Sequence, residues 1–319
     1  MDAFTIVLFL FQTLMIVLWG IAVTFTVQDT DGLDIGTGVQ PLFSSYIDMA
    51  LITTLGFGLL LSFLRKYGHS SMGHTFFIVA SMLQWAILNV GFWQRVQNGV
   101  WNKLDLNINF LILGIFGALA VVITFGVLAG KVSLLVMFIL GFFEIGFWAL
   151  NYYIGSIVLQ ADDFGMAIFT HLFGAMFGLG ATIVFSYKSA EEKAQVNKFD
   201  NESSYTSDFL SLLGTVLMFV LWPSINSALA NPAAQSRVVI NTVLSLCSSC
   251  IFTFWVSRTF NRKRFGIRDI QNATLSGGVV MASSVASTII PGAAMLVGAI
   301  CATVVTIGVS FWKPYLDKH

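Results

Sequence analysis

The chain has 319 residues, with 56% in the hydrophobic set and only 10% charged, against roughly 25% charged side chains in soluble domains. Lys+Arg and Asp+Glu both number 16, so the net charge is zero and no basic field is present to attract a phosphate backbone. These values exclude a soluble enzyme, a disordered chain and a nucleic-acid binder, and they indicate an all-α, polytopic bundle in a lipid bilayer.

A helix needs about 20 mostly apolar residues to cross the hydrocarbon core. Ten stretches qualify: 4–27, 43–64, 74–93, 107–129, 132–153, 164–186, 208–230, 238–257, 268–288 and 292–312. The opening Met1-Asp-Ala-Phe lacks a basic flank and a small-residue cleavage site, so 4–27 reads as a retained span and not a signal peptide. The ninth, around Leu275-Ser-Gly-Gly-Val-Val, is rich in Gly, Ser and Thr and suits the inside of a bundle better than a lipid-facing position. With the N-terminus in the cytoplasm and ten alternating spans, Arg95, Lys103 and Arg237 fall outside. The other 13 of the 16 basic residues fall on the cytoplasmic side. Both termini are therefore expected in the cytoplasm. The longest polar segment, 187–207, divides six helices from four and reads as a cytoplasmic linker within a single domain covering 1–319.

Ionisable residues inside a bilayer are costly unless paired or wetted, so they are where chemistry is sought. The sixth span carries Asp162-Asp163-Phe-Gly-Met-Ala-Ile-Phe-Thr-His171-Leu-Phe-Gly174-Ala-Met-Phe-Gly178. Asp163 is placed at the external end, where it either caps free N–H groups or draws cations to the mouth. His171 lies eight residues on, about 12 Å deeper along a helix. An imidazole there either hydrogen-bonds a neighbouring helix or serves a passing polar solute. Gly174 and Gly178 form a small-residue face that allows close helix approach. Glu144, near the middle of the fifth span, is either part of a pathway or a neutral acid donating to an adjacent backbone. Asn151 and Asn226 are milder polar insertions.

Several patterns fail on context. Asp163-Phe-Gly spells the kinase metal triplet without its Gly-rich or catalytic loop. Cys247-Ser-Ser-Cys250 lies mid-helix without a second pair, and the three cysteines make no disulfide framework. The sequons at Asn201 and Asn272 fall at or near the cytoplasmic face. No enzymatic activity, cofactor or metal is expected. The residues describe a bundle with a histidine near the midplane beneath an acidic external mouth, which suits a channel or transporter for a small polar solute.

At His171-Leu-Phe-Gly-Ala-Met-Phe-Gly-Leu the chain resembles the Rh glycoprotein branch of the ammonium transporter/Rh superfamily. Further strings agree in order: Leu64-Arg-Lys-Tyr-Gly, Gln84-Trp-Ala-Ile-Leu, Phe125-Gly-Val-Leu-Ala-Gly-Lys-Val-Ser, Trp222-Pro-Ser-Ile-Asn-Ser-Ala, Val239-Ile-Asn-Thr and Ile270-Gln-Asn-Ala-Thr-Leu-Ser-Gly-Gly-Val. The resemblance implies a homotrimer in which each protomer has a narrow pore for ammonium or ammonia, built from two inverted five-helix repeats. Span 4–27 would be the extra N-terminal helix of the Rh branch, followed by one five-helix repeat and an incomplete second. His171 would be the first of two pore histidines, Asp163 the acid of the outer vestibule and Phe116 one of two stacked gate phenylalanines.

The chain departs from that pattern in three places. Ile225 stands where the second gate phenylalanine is expected, beside Asn226, and Tyr152 replaces an acid after the fifth span's asparagine. The sequence ends at Lys313-Pro-Tyr-Leu-Asp-Lys-His319, before the helix that would bear the second pore histidine, through either a naturally short or a truncated chain. The expected function is Rh-type passage of ammonium or ammonia. The alternative is a non-conducting, Rh-derived structural subunit covered by other membrane subunits. The plasma membrane is the expected location and an organelle membrane the alternative.

Overall fold

The structure is a computed structural model that describes residues 2–25, 39–66, 68–185, 203–260, 265–284 and 288–312. Helices account for nearly all of it. In chain order they are α1 (Ala3–Ala22), α2 (39–63), α3 (Gly68–Asn98), α4 (Ile108–Leu128), α5 (Leu134–Tyr152), α6 (Ala167–Phe185), α7 (Tyr205–Ser227), α8 (Pro232–Phe260), α9 (Ile267–Ala282) and α10 (Pro291–Ile307). Among the described residues a helix meets each of the ten expected spans, and nine of these helices are long and apolar enough to cross a membrane. The protein is an integral membrane protein. The linker expected at 187–207 falls outside the described residues up to 202, and α7 begins at Tyr205.

The helix starts follow from side chains that satisfy free backbone N–H groups. The Asp2 carboxylate accepts from the Thr5 amide at 2.8 Å, and Asn107 Oδ1 accepts from that of Phe110 at 3.2 Å. Ser204 and Ser207 cap α7 reciprocally, the Ser207 amide donating to Ser204 Oγ at 3.2 Å and the Ser204 amide to Ser207 Oγ at 2.7 Å. Residues 23–25, expected as the end of the first span, are instead extended. They form a short parallel pair of strands, Val23–Phe25 with Leu104–Leu106.

The exception among the ten is α9, which is 16 residues long. The expectation that it lies inside the bundle is met by direct contacts from α8. Ser245 Oγ donates to the Gly277 carbonyl at 2.9 Å and Ser249 Oγ to that of Ala273 at 2.8 Å. A Cβ on Gly277 would lie 2.7 Å from the Ser245 carbonyl oxygen, so the glycine is what lets the two backbones approach. Hydroxyls and close backbone contact do here what apolar bulk does in the other helices.

The bundle centre is α4, with Ile115, Phe116, Leu119 and Val122 all fully buried or nearly so. Trp148 from α5 packs directly on it, its ring 2.9 Å from where a Cβ on Gly117 would lie, and Trp222 from α7 is buried as well. The outer faces carry large exposed apolar side chains, including Phe9, Phe143, Val184 and Ile251, where a lipid contact removes the cost they would have in water.

Candidate functional site

The helix carrying His171 opens irregularly. Met166 adopts a left-handed conformation at φ 59°, and Ala167–Leu172 is a π-helical turn in which the His171 amide reaches back five residues to the Met166 carbonyl at 3.1 Å. Such wide turns leave a carbonyl or side chain free for other use and recur at functional sites. This irregular start is held by Asp163. One carboxylate oxygen accepts from the Ala167 amide at 2.9 Å, and the other accepts from those of Ile168 (2.7 Å) and Phe169 (2.9 Å). Asp163 is only 4% exposed, so of its two expected roles the capping geometry is the one present. Burial pushes its carboxyl above the usual carboxylate value, against the pull of the three N–H bonds.

The imidazole of His171 is buried and stacks on the indole of Trp222, with ring centroids 5.5 Å apart and planes inclined by 20°. Among the described residues its Nε2 has no hydrogen-bond partner. Trp222 Nε1, on the ring stacked against it, is likewise buried and unpartnered among the described residues, as is Asn226 Oδ1, about one helical turn after Trp222 on α7. Asn226 is fixed by its amide, which donates to Thr242 Oγ1 and to the Gly278 carbonyl, each at 3.0 Å. A Cβ on Gly278 would fall 2.6 Å from the Trp222 ring, so the space for that ring depends on glycine. Ile225 is fully buried beside Asn226.

Phe116 is fully buried on α4. Its carbonyl accepts from Thr170 Oγ1 at 3.3 Å, and that hydroxyl in turn accepts from Trp148 Nε1 at 3.3 Å. The residue preceding His171 is thereby tied to the backbone that carries Phe116. Tyr152 stacks on Trp148 (5.9 Å, 8°) and meets Phe169 edge-on at 5.8 Å. It is part of an aromatic wall where an acid was expected from the resemblance.

Glu144 is fully buried, with Oε1 2.6 Å from Thr124 Oγ1 and Oε2 unpartnered. Cys247 and Cys250 are free thiols, and no group of three potential metal ligands occurs among the described residues. Trp222 enters the sequence reading only as part of the Trp222-Pro-Ser string, and Thr170, Thr124 and Trp148 carry no functional signal there. Buried Trp and Thr are ordinary core residues, and only the spatial neighbours reveal their bonds.

Residues 7–319 match the Ammonium Transporter Family. The chain is 33% identical to Rhesus-like glycoprotein B of Dictyostelium discoideum over 99% of its own length and 56% of that protein. It is 31% identical to ammonium transporter Rh type C of Rattus norvegicus over 97% of its own length and 63% of that protein. It therefore spans about six-tenths of the length of these curated relatives. Nitrosomonas europaea Rh50 superposes with a TM-score of 0.77 at 27% identity, covering 88% of this chain and 72% of that one. Saccharomyces cerevisiae Mep2 superposes at 0.68 with 14% identity over 88% and 70% of the two chains, which is a likeness of fold. The chain belongs to the ammonium transporter family, in its Rh branch.

Proposed function

We propose that this protein passes ammonium or ammonia across a membrane, with His171 as the hydrogen-bonding group of the path. One observation carries the reading. The imidazole is buried against Trp222, and His171 Nε2 and Trp222 Nε1, on the two stacked rings, are both buried without a hydrogen-bond partner among the described residues. Each buried polar atom left in this state costs about 1–3 kcal/mol, a cost that a small solute able both to donate and to accept removes. The relatives named as ammonium transporters and the Rh50 channel fold support the same solute class.

In this reading Phe116 limits access from outside and strips water. Ile225, an aliphatic stand-in at the second gate position, narrows the path without a stacking face. Asp163 acts chiefly by holding the His171 turn, because both of its oxygens already accept N–H bonds. Asn226, donating to Thr242 and to the Gly278 carbonyl, braces the backbone against which the Trp222 ring rests. The protein would assemble as a homotrimer with both termini cytoplasmic, as the distribution of 13 basic residues against three supports. The plasma membrane is the proposed site. No enzymatic step and no cofactor is needed.

Stopped-flow measurement of vesicle pH after an ammonium jump tests the proposal. Vesicles holding the full chain should equilibrate faster than empty ones. Equal rates would instead favour a non-conducting, structural subunit.

A further inference from the structure

We propose that Glu144 is a neutral hydrogen-bond donor whose chain of two bonds through Thr124 positions the His171 helix. Thr124 Oγ1 lies 2.6 Å from Glu144 Oε1 and 2.9 Å from the Gly174 carbonyl oxygen. A hydroxyl has one proton and two lone pairs. A carbonyl oxygen can only accept, so the Thr124 proton belongs to Gly174. The short contact on the other side then needs a proton from Glu144, which only the carboxylic acid can supply.

The opposite assignment, Thr124 donating to a carboxylate, leaves the hydroxyl lone pair facing the Gly174 carbonyl. It also leaves Oε2 of a fully buried anion with no partner. An unpaired charge in such a place is far more costly than a neutral acid with one good hydrogen bond.

The bond lands on a consequential carbonyl. Gly174 is three residues after His171, within one helical turn. A Cβ there would fall 2.5 Å from the Ala120 carbonyl oxygen, so α4 and α6 touch backbone to backbone and Thr124 is brought within reach. On the other side of His171, Thr170 Oγ1 donates to the Phe116 carbonyl at 3.3 Å. Two hydroxyl-to-carbonyl bridges, one running in each direction between α4 and α6, thus bracket the imidazole. Glu144 anchors one of them from α5 and Trp148, also on α5, anchors the other. Glu144 is a positioning residue and does not touch the solute. The positioning role rests on the transport reading above; the protonation state does not.

Three readouts on the full chain test the inference. The infrared difference between the unaltered protein and Glu144→Gln at neutral pH should show loss of a carboxylic-acid C=O band; loss of only carboxylate bands would overturn the proposal. Amide hydrogen exchange across 167–178 should quicken in Glu144→Ala and Thr124→Val. It should stay as it was in Glu144→Gln and Thr124→Ser, which keep a donor at each place. Equal effects in Gln and Ala variants would overturn it. Ammonium flux should fall about tenfold in the Ala and Val variants, the scale of one lost buried hydrogen bond, and be retained in the Gln and Ser variants. If the unaltered protein passes no ammonium, the transport reading fails, while the infrared and exchange results still decide the bonding.

Discussion

The imidazole of His171 lies on the indole of Trp222, ring centroids 5.5 Å apart, and among the described residues neither His171 Nε2 nor Trp222 Nε1 has a hydrogen-bond partner. Two rings are stacked, buried and polar at their edges, an arrangement that stability alone does not favour. The glycine at position 278 is what admits it. Gly278→Ala is expected to push the Trp222 ring off His171, because its Cβ would lie 2.6 Å from ring atoms. Tryptophan fluorescence and ammonium flux should change together, with a stability loss of about 1–3 kcal/mol as for other overpacked sites.

Thr170 relays one bond, from Trp148 Nε1 to the Phe116 carbonyl. Thr170→Val keeps the shape and removes both contacts, leaving a buried indole N–H without its acceptor. The expected cost is about 1–3 kcal/mol, read as a lower unfolding temperature in detergent. Thr170→Ser should restore most of it.

Asp163 closes three backbone donors. Asp163→Ala should cost about 1–2 kcal/mol, as caps do, and Asp163→Asn less. Burial raises the carboxyl above its usual value in the folded protein, so folding takes up a proton between the ordinary and the raised value. Stability should therefore fall as pH rises through that window and level off above it. Unfolding curves of Asp163→Asn across the same range should slope less steeply than those of the unaltered protein.

Ser249→Ala should loosen α9, whose Ala273 carbonyl accepts from that hydroxyl at 2.8 Å. The expected loss is about 0.5–1.5 kcal/mol. Amide exchange in 267–282 should quicken more than in α4.

Much of the fold is readable from composition, because bilayer thickness forces a run of about 20 apolar residues for every crossing. Even α9 is readable as an inner helix from Gly277, Gly278 and Ser276, since small residues have no advantage facing lipid. The strand pairing of Val23–Phe25 with Leu104–Leu106 is not, because three residues carry no periodicity and their partners lie about eighty positions away. The positions of His171 and Glu144 stand out in the sequence through their cost in a membrane. Their partners do not. Trp222 and Thr124 are ordinary residue types brought near by tertiary packing, and the π-helical turn at Ala167–Leu172 reflects the Asp163 cap and Met166 geometry, which no period marks. For Glu144 the sequence left two roles open, and a proton count across Thr124 needs distances.

Passage of ammonium or ammonia at His171 is tested by initial ammonium flux in vesicles holding equal amounts of the unaltered chain or His171→Ala, each matched for assembly and unfolding temperature. Flux above that of empty vesicles is expected for the former, with a loss of about tenfold in the variant, or ~1.4 kcal/mol of barrier. Equal flux in the two would contradict it.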